Sequence, residues 1–363
     1  MTTIKRIIKT FSALALVLLL AAGLAACAVF QPKTADDPGA ATEIAEAPVV
    51  SAKPAAGADD PDPEPAALPE PALTEKERVI SVDQVIEYAN NSKYLMEFAQ
   101  RFFSDYIIYT DSSGRFTYAP VDKSMPLSDY NWDNLVPVPG SSNELTYIEN
   151  NAEVSIKGID VSRYQGAIDW EKVAADGVKF AFIRLGYRGY STAKLVIDEQ
   201  FENNIKGAVK AGVNVGVYFV TQAVSVEEAI EEANFVLEAI APYKVTYPIV
   251  LDIEDAASDS ARTNLLTAEE RTDYTIAFCE EVKKKGYTPM LYCNIRWFME
   301  KLELSRLTGY DKWFAQYFSR PFFPYEFQVW QYSSTGRIDG IEGNVDYNIS
   351  FVDYGNLPEE TGD

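Results

Sequence analysis

The stretch Tyr247-Pro-Ile-Val-Leu-Asp252-Ile-Glu254-Asp255 places an apolar run directly before two carboxylates, Asp252 and Glu254, two residues apart. Branched apolar residues after a proline predict a buried strand, and the alternating faces of a strand direct both acids to the same side. Because neighbouring carboxylates do not both ionise at their ordinary pKa, we expect one to stay protonated near neutral pH. Glycoside hydrolysis requires such a pair, one acid protonated and the other charged. On these residues alone, a solvated strand end or half of a cation site is the commoner interpretation.

Strand and helix patterns alternate on both sides of this stretch, from residue 157 onward. Strands are predicted over 158–161, 180–185, 213–220, 249–253, 289–293, 313–317, 327–332 and 345–348. Helices are predicted over 170–176, 199–211, 226–240, 268–285 and 297–302. Such alternation predicts an α/β fold with a parallel sheet, and eight strands favour closure into a TIM-like barrel. Because only short turns separate the last strands, we expect an irregular β/α barrel.

Two segments with unusual composition precede the folded part of the chain. Residues 1–27 combine a basic start with an apolar run and end in Leu24-Ala25-Ala26-Cys27. This resembles the signal peptide and lipobox of bacterial lipoproteins, in which the cysteine, here Cys27, carries the lipid; an ordinary signal peptide or a transmembrane helix is the alternative. Residues 28–75 hold nine of the 19 prolines among alanines and acids, and are predicted to form a disordered tether.

The remaining chain divides into an accessory region, the barrel and a tail. Residues 76–150 are predicted to be a small N-terminal extension, with a helix over 81–103 and a hairpin of strands 106–109 and 115–118. A packed irregular connection over 132–139 follows, and we expect the aromatic residues of this region to be core. The barrel is assigned to 151–357 and a tail to 358–363.

Composition excludes several kinds of chemistry. The absence of histidine excludes Ser-His-Asp and Cys-His catalysis and imidazole-bound zinc, so that acid–base work falls first to carboxylates. A formal net charge of −22 argues against nucleic acid and anionic lipid surfaces as partners. Cys279 and Cys293 are interpreted as buried thiols, with a disulfide as the alternative.

In a barrel, functional side chains gather where the strands end. From the first strand to the eighth, these ends carry Asp160; Arg184 and Tyr187; Tyr218; Asp252 and Glu254; Tyr292 and Asn294; Trp313 and Gln316; Trp330, Gln331 and Tyr332; and Asp346. Four carboxylates among aromatic and amide side chains suit a carbohydrate cleft, because aromatic faces stack on sugar rings while amides and acids bind hydroxyls. Each aromatic residue taken alone is more often core.

Four ordered motifs resemble glycoside hydrolase family 25, the lysozymes that act as N-acetylmuramidases on peptidoglycan. They are Gly158-Ile-Asp160-Val-Ser162-Arg-Tyr-Gln165-Gly166, the segment 198–212, Asp252-Ile-Glu254, and Trp330-Gln331-Tyr332 followed by Val345-Asp346. The resemblance covers about residues 156–354. It implies a barrel of about five β/α units plus three further strands, and cleavage of the β-1,4 bond between N-acetylmuramic acid and N-acetylglucosamine.

The resemblance also implies a role for each acid. Glu254 matches the general acid, and Asp252 matches the partner acid that assists the 2-acetamido group of the sugar. Asp160 and Asp346 match the other carboxylates of the cleft. One departure concerns Phe219, which follows Tyr218 where many members have histidine.

Three other functions compete with this interpretation. A chitinase-like amino-sugar hydrolase also places Asp-x-Glu on a fourth strand, and a wall-binding lipoprotein could keep the cleft without turnover. A solute-binding lipoprotein would need a two-lobed fold, which a single series of eight strands does not predict. We expect peptidoglycan glycan strands as the partner, a membrane contact only through the lipid anchor, a monomer, and no metal or other cofactor. The location implied is outside the cell, facing the wall.

Overall fold

The structure is a computed structural model that describes residues 103–141, 143–256 and 258–357. The predicted signal peptide with Cys27, the tether, the tail and all but the last residue of the helix over 81–103 lie outside the described residues. Within those ranges, no helix combines the length and the apolar character that crossing a membrane requires.

The first described elements form two small antiparallel sheets. β1 (Tyr106–Thr110) pairs with β2 (Phe116–Pro120), and the Asp111 side chain accepts hydrogen bonds from the Ser113 and Arg115 backbone in the turn between them. This confirms the predicted hairpin. β3 (Leu135–Pro137), β4 (Leu145–Glu149) and β5 (Ala152–Glu153) form the second sheet. None of these three strands was predicted; β3 lies within the segment predicted to be an irregular connection and contains Pro137, which lacks a backbone donor.

The remaining strands and helices follow one another along the chain. The strands are β6 (Ile156–Val161), β7 (Phe180–Arg188), β8 (Leu195–Ile197), β9 (Asn214–Val220), β10 (Ile249–Asp252), β11 (Pro289–Asn294), β12 (Asp311–Ala315), β13 (Val329–Gly336) and β14 (Val345–Ser350). The helices are α1 (Trp170–Ala175), α2 (Phe201–Lys210), α3 (Val226–Ile240), α4 (Ala268–Lys284) and α5 (Ile295–Glu300). In the described part of the chain, an α-helix follows each of the barrel strands β6, β7, β9, β10 and β11, and none follows the last three.

Eight of the described strands close into a barrel, in the order β6-β14-β13-β12-β11-β10-β9-β7 with β7 returning to β6. Neighbours are parallel except at β14, which runs antiparallel to both β13 and β6. The start of β14 therefore lies beside the carboxyl end of β6, where Asp346 pairs in register with Asp160. β8, which was not predicted, is a short antiparallel addition to β7 outside the barrel.

Large side chains fill the interior away from the mouth. Phe182 stacks on Trp313 with ring centroids 4.5 Å apart, and Phe180 lies edge-on to Phe182 at 5.6 Å. Glycine is required opposite these rings, because a Cβ on Gly158 would lie 2.2 Å from the Phe180 ring and one on Gly216 would lie 2.5 Å from Phe182. Strand alternation then sends the neighbouring branched residues outward to the helices.

The helices begin at side-chain caps that the sequence supplies. Thr267 and Glu270 form a capping box at the start of α4, and Ser225 accepts from the Glu228 backbone at the start of α3. Such caps satisfy the unpaired amides of the first helical turn. α3 packs against α4 and contacts β9 through Phe235 and Phe219, and α4 contacts β10, the strand that ends in Asp252. Cys279 of α4 and Cys293 of β11 are free and buried, which confirms the thiol interpretation.

The N-terminal region covers the barrel wall where the helices are missing. Its contact is an aromatic group that we call the outer wall cluster, which consists of Tyr130, Trp132, Phe327, Trp330 and Phe351. Trp132 stacks on Phe327 with ring centroids 5.7 Å apart, and Tyr130 stacks on Phe351 at 4.3 Å. A bridge between Leu127 and Tyr325 and a bond from the Ser128 amide to the Pro324 carbonyl fix the same contact. Tyr130 and Trp132 therefore pack as core, as expected, whereas Phe103, Tyr106 and Tyr118 of the same region are exposed.

Candidate active site

Asp160 lies at the centre of a hydrogen-bonded network in the mouth of the barrel. Its Oδ2 accepts from Gln331 Nε2 at 2.9 Å and from Asn348 Nδ2 at 2.8 Å. Trp313 Nε1 donates to Asn348 Oδ1 at 2.7 Å, and Tyr292 donates to Gln331 Oε1 at 2.8 Å. Four strands thus hold one carboxylate, because alternation turns these residues inward.

Burial changes the acidity of Asp160. It raises the pKa of this carboxyl to about 6, although the hydrogen bonds from Asn348 and Gln331 act to lower it. Both amides donate to Oδ2, so a proton on Asp160 is carried by Oδ1. The group can therefore change charge in the range where many enzymes work.

Aromatic side chains surround this acid. Tyr292 and Trp313 have ring centroids 4.5 Å apart, and Tyr218 meets Trp313 edge-on at 6.0 Å. Burial raises the pKa of Tyr218, with opposing effects from Arg184, which lowers it, and from Asp160 and Asp252, which raise it. The register agrees, because Arg184 pairs with Tyr218, Asp160 pairs with Phe182 and Asp252 pairs with Val220, so the first four predicted strand ends lie along one edge.

The acid pair divides between a strand end and the loop after it. β10 ends at Asp252, which is only 4% exposed, whereas Glu254 lies in the loop and is half-buried. Burial raises the pKa of Tyr292, and the charges of Glu254, Asp252 and Asp160 raise it further. Three of the four predicted acids therefore lie within electrostatic reach of one tyrosine.

Glu254 lines a small cavity between its loop and α4. Gln222, Thr263, Arg271 and Trp297 are among the other lining residues. The Arg271 guanidinium lies 5.3 Å from the Trp297 ring centroid and donates to the Thr263 and Leu266 carbonyls. The cavity therefore gives Glu254 a mixed polar and aromatic setting, which differs from that of Asp252 inside the barrel.

Arg184 forms a buried ion pair at the second strand end. Its Nη2 and Nε both lie 2.7 Å from Asp198 Oδ2, and each of the two side chains is at most 2% exposed. The guanidinium carbon lies 5.0 Å from the Tyr164 ring centroid and 5.8 Å from that of Tyr187. This arrangement fixes a planar cation at the wall of the mouth. We call Asp160, Arg184, Asp252, Gln331 and Asn348 the mouth cluster.

Comparison with known proteins identifies the domain that carries this geometry. The sequence model described as Glycosyl hydrolases family 25 matches residues 159–341, half of the chain, and the match contains Asp160, Asp252 and Glu254. The chain belongs to glycosyl hydrolase family 25. It is accordingly a glycoside hydrolase.

Individual relatives of this family 25 chain are about a quarter identical to it over the matched segments. The uncharacterized protein YegX of Escherichia coli K12 is 29% identical over 208 residues, covering 54% of this chain and 70% of YegX. Lysozyme M1 of Streptomyces globisporus is 27% identical, covering 53% of this chain and 67% of the lysozyme. The structure of the modular autolysin LytC from Streptococcus pneumoniae is 22% identical with a TM-score of 0.49, and the match covers 68% of this chain but only 57% of LytC.

Two of the aromatic residues predicted for the cleft face away from it in the family 25 domain. Trp330 and Tyr332 lie on the outer side of β13, and Trp330 is fully buried with its Nε1 donating to the Gln316 carbonyl. The Tyr332 hydroxyl accepts from the Leu145 amide of the N-terminal region. Their position argues against contact with a glycan, because one strand cannot turn three successive side chains inward.

Two predicted amides serve local structure. The Asn294 side chain caps α5 by accepting from the Trp297 amide at 3.0 Å. Gln316 Oε1 accepts from the Phe322 amide at 2.7 Å and closes the loop after β12. Asp346 is half-buried beside Asp160, and Tyr187 lies beside Arg184, so both are near the mouth.

Four residues of the site were not predicted. Asn348, Tyr317, Asp198 and Tyr164 contact Asp160, Gln331 or Arg184 directly or through one hydrogen bond. Asn348 could have been found, because it lies two residues after Asp346 on a predicted strand and shares its face. Asp198 carries no periodic signal, since it lies in the loop between β8 and α2.

Metal ligation was also assessed from the residues present. Among the described residues, no group of three or more Cys, Asp or Glu side chains is arranged to hold a metal ion. That the reaction needs no metal or other cofactor stays a prediction, tested by activity in the presence of a chelator.

Proposed function

We propose that this chain is a peptidoglycan hydrolase that cleaves the β-1,4 bond between N-acetylmuramic acid and N-acetylglucosamine. The observation that carries the proposal is the placement of three acids in the family 25 domain: Asp160 is held in the mouth by Gln331 and Asn348, β10 ends there at Asp252, and Glu254 follows two residues later. The similarity to Lysozyme M1 supports it.

Glu254 is the proposed general acid. It donates a proton to the glycosidic oxygen as the bond from that oxygen to the anomeric carbon breaks, and the leaving sugar departs as an alcohol. The anomeric carbon acquires oxocarbenium character and is attacked by the carbonyl oxygen of its own 2-acetamido group, which Asp252 orients through its charge. Water then opens the resulting ring and returns a proton to Glu254, so that the enzyme is regenerated.

The remaining mouth residues bind the glycan in this proposal. Asp160 is oriented by Gln331 and Asn348 and presents Oδ1 to sugar hydroxyls, and Asp346 extends the acidic rim. Tyr218 and Tyr292 supply apolar faces beneath the sugar, with Trp313 packed behind them, and Arg184 holds the Tyr164 and Tyr187 rings at the wall of the mouth. The fold is proposed to be the TIM-like barrel with about five β/α units that the resemblance implies.

The test is mass analysis of fragments released from purified peptidoglycan by the wild-type chain and by Glu254→Gln. The wild type should release fragments with muramic acid at the new reducing end, and Glu254→Gln should lose about 10²–10⁴-fold in rate. Glucosamine at that end, or wild-type turnover by the variant, contradicts the assignment. Glycan binding without new reducing ends would identify a wall-binding protein, and preferential release from chitin a chitinase-like enzyme.

The configuration of the first product tests the acetamide step. Retention at the anomeric carbon is expected when the acetamide attacks, because two displacements occur at that carbon. Direct attack by water through a single displacement gives inversion. Fresh product analysed by NMR before mutarotation distinguishes the two courses.

We also propose that the chain is exported, is anchored through a lipid on Cys27, and acts on the wall as a monomer at the end of the 28–75 tether. The lipobox and the proline-rich composition support this location. Metabolic labelling with a radioactive fatty acid should label the wild type. Cys27→Ser should lose both the label and sedimentation with membranes; a soluble wild type would contradict the anchor.

A further inference from the structure

A second buried carboxylate lies behind the mouth and takes no part in the proposed mechanism. Glu232 of α3 is fully buried, and Arg188 of β7 donates from Nε to Glu232 Oε1 at 2.7 Å. Arg188 is itself only 3% exposed. Because a buried ion pair contributes little net stability after desolvation, its presence here suggests a role in fixing geometry.

Glu232 connects to the acid pair through one residue. Thr221 Oγ1 donates to Glu232 Oε2 at 2.6 Å, and the Thr221 backbone amide donates to the Asp252 carbonyl at 3.1 Å. The Gln222 amide also donates to Glu232, at 3.3 Å. The carboxylate therefore holds the loop after β9 at the point where this loop contacts the end of β10.

The same loop reaches the segment that carries Glu254. Gln222 Oε1 accepts from Thr263 Oγ1 at 3.0 Å, and Thr263 lies in the segment between Glu254 and α4. Thr221, Gln222 and Thr263 all line the cavity that Glu254 lines. Residues that Glu232 fixes therefore form part of the surroundings of both Asp252 and Glu254.

Arg188 is oriented by further contacts. Its Nη1 donates to the Ala193 carbonyl at 2.9 Å, and its Nη2 donates to the Glu228 carbonyl at 3.1 Å and to Glu231 at 2.7 Å. The Glu231 side chain is 58% exposed, unlike that of Glu232. Burial raises the pKa of Glu232 to about 7, while the bonds from Thr221 and Arg188 act against that rise. Arg188 is thus the cation that stabilises the buried carboxylate charge of Glu232.

We propose that Arg188 and Glu232 are a positioning pair that fixes the ends of β9 and β10 and thereby sets the orientation of Asp252 and the surroundings of Glu254. The catalytic consequence rests on the proposed function. A carboxylate displaced by a fraction of an ångström from its reacting position loses rate even when substrate still binds.

Two matched substitutions on α3 test the pair. Glu232→Gln keeps the size of the side chain and removes its charge, and Glu231→Gln removes the charge of the exposed partner of the same arginine. With the full-length chain and purified peptidoglycan, kcat of Glu232→Gln should fall roughly tenfold to a hundredfold with KM nearly unchanged. Glu231→Gln should stay within about twofold of wild type in both constants. A folded Glu232→Gln with wild-type kcat overturns the proposal, because a purely structural role would lower only the melting temperature.

Two further measurements keep the result decisive. If Glu232→Gln does not fold, Thr221→Val removes only the connecting hydroxyl, and kcat should fall by about threefold or more; no change in kcat overturns the proposal. If the wild type does not cleave peptidoglycan, the proposed function fails. The NMR chemical shift of the Asp252 side-chain carboxyl in ¹³C-labelled protein then tests whether Glu232 positions Asp252. A shift of that resonance in Glu232→Gln and none in Glu231→Gln supports the pair, and no shift in either overturns it.

Discussion

The mouth cluster and the outer wall cluster meet on opposite faces of β13 and have opposite chemistry. On β13, Gln331 points inward and donates to Asp160 at 2.9 Å, whereas Trp330 points outward and lies against Trp132 with centroids 6.5 Å apart. The mouth therefore holds buried charges and amides, and the outer wall holds stacked rings.

This difference separates function from stability. Buried carboxylates such as Asp160 and Asp252 are costly to desolvate, so their presence is explained by what they do. The rings of the outer wall cluster bury apolar area where no helix covers β12–β14, so their contribution is to the free energy of unfolding. Substitutions on the two sides should accordingly change different measurements.

Within the two clusters, the largest effect is expected for Asp252→Asn in the mouth. Loss of the charge that orients the acetamide should lower the rate of glycan cleavage by about 10²–10³-fold. The melting temperature should not fall by more than a few degrees, because the variant removes a buried charge. Reducing-end release and thermal unfolding measure the two quantities.

Asp255→Asn is the matched control for this substitution. Asp255 is exposed, lies three residues further on and pairs with Arg296. Its variant should keep wild-type turnover. Equal losses in both variants would show that the charge of the loop as a whole, and not the position of Asp252, matters.

The next effect is expected for Trp330→Ala on the outer wall. Removing this fully buried ring and its bond to the Gln316 carbonyl should lower the free energy of unfolding by about 3–5 kcal/mol. Turnover per folded molecule should not change. Urea unfolding and active-site-normalised rates check this, and Trp330→Phe should lose clearly less stability. If Trp330→Ala unfolded like the wild type but lost turnover, the result would mean that Trp330 contacts the glycan in the cleft.

Trp330 also shows how far sequence reasoning reaches. The strand pattern predicted β13 and its neighbours, and strand alternation requires Trp330 and Gln331 to face opposite sides. The sequence alone did not say which side was inside, so both residues were assigned to the cleft. Fixing that side needs one contact across the barrel, such as Gln331 with Asp160, and such contacts join residues far apart in the chain.

Other parts of the site were beyond sequence reasoning for the same reason. The apolar run before Asp252 predicted a strand and its acid, because local pattern determines both. The partner of Arg184 is Asp198, which lies on an irregular loop, and no periodicity identifies it. The cover over β12–β14 comes from Tyr130 and Trp132, whose positions depend on tertiary packing outside the family motifs.

A smaller effect is expected on the pH dependence of stability. The pKa of Asp160 rises from an ordinary 3.8 to about 6 in the folded chain, so the folded state binds this proton more tightly than the unfolded state. The stabilisation is complete below the unfolded pKa and is lost as pH rises through about 6. Its size is about 3 kcal/mol at most.

Asp160→Asn should remove this part of the pH dependence. Chemical unfolding at several values between about pH 4 and pH 7 should show a smaller loss of stability with rising pH in the variant than in the wild type. The buried Glu232, whose pKa is also raised, is common to both proteins and leaves a remaining slope. An identical slope in both proteins would mean that Asp160 is charged throughout this range.

The smallest effect is expected for Tyr317→Phe at the edge of the mouth cluster. Tyr317 donates to Gln331 Oε1 at 2.9 Å, and Tyr292 donates to the same oxygen at 2.8 Å. Because Gln331 keeps one donor when the other is lost, Tyr317→Phe should cost about 1 kcal/mol or less. Tyr292→Phe should cost more, since Tyr292 is buried among the acids. Equal rates and stabilities in the two variants would show that either donor suffices to hold Gln331, whereas a larger loss in Tyr317→Phe would place the critical donor at the rim.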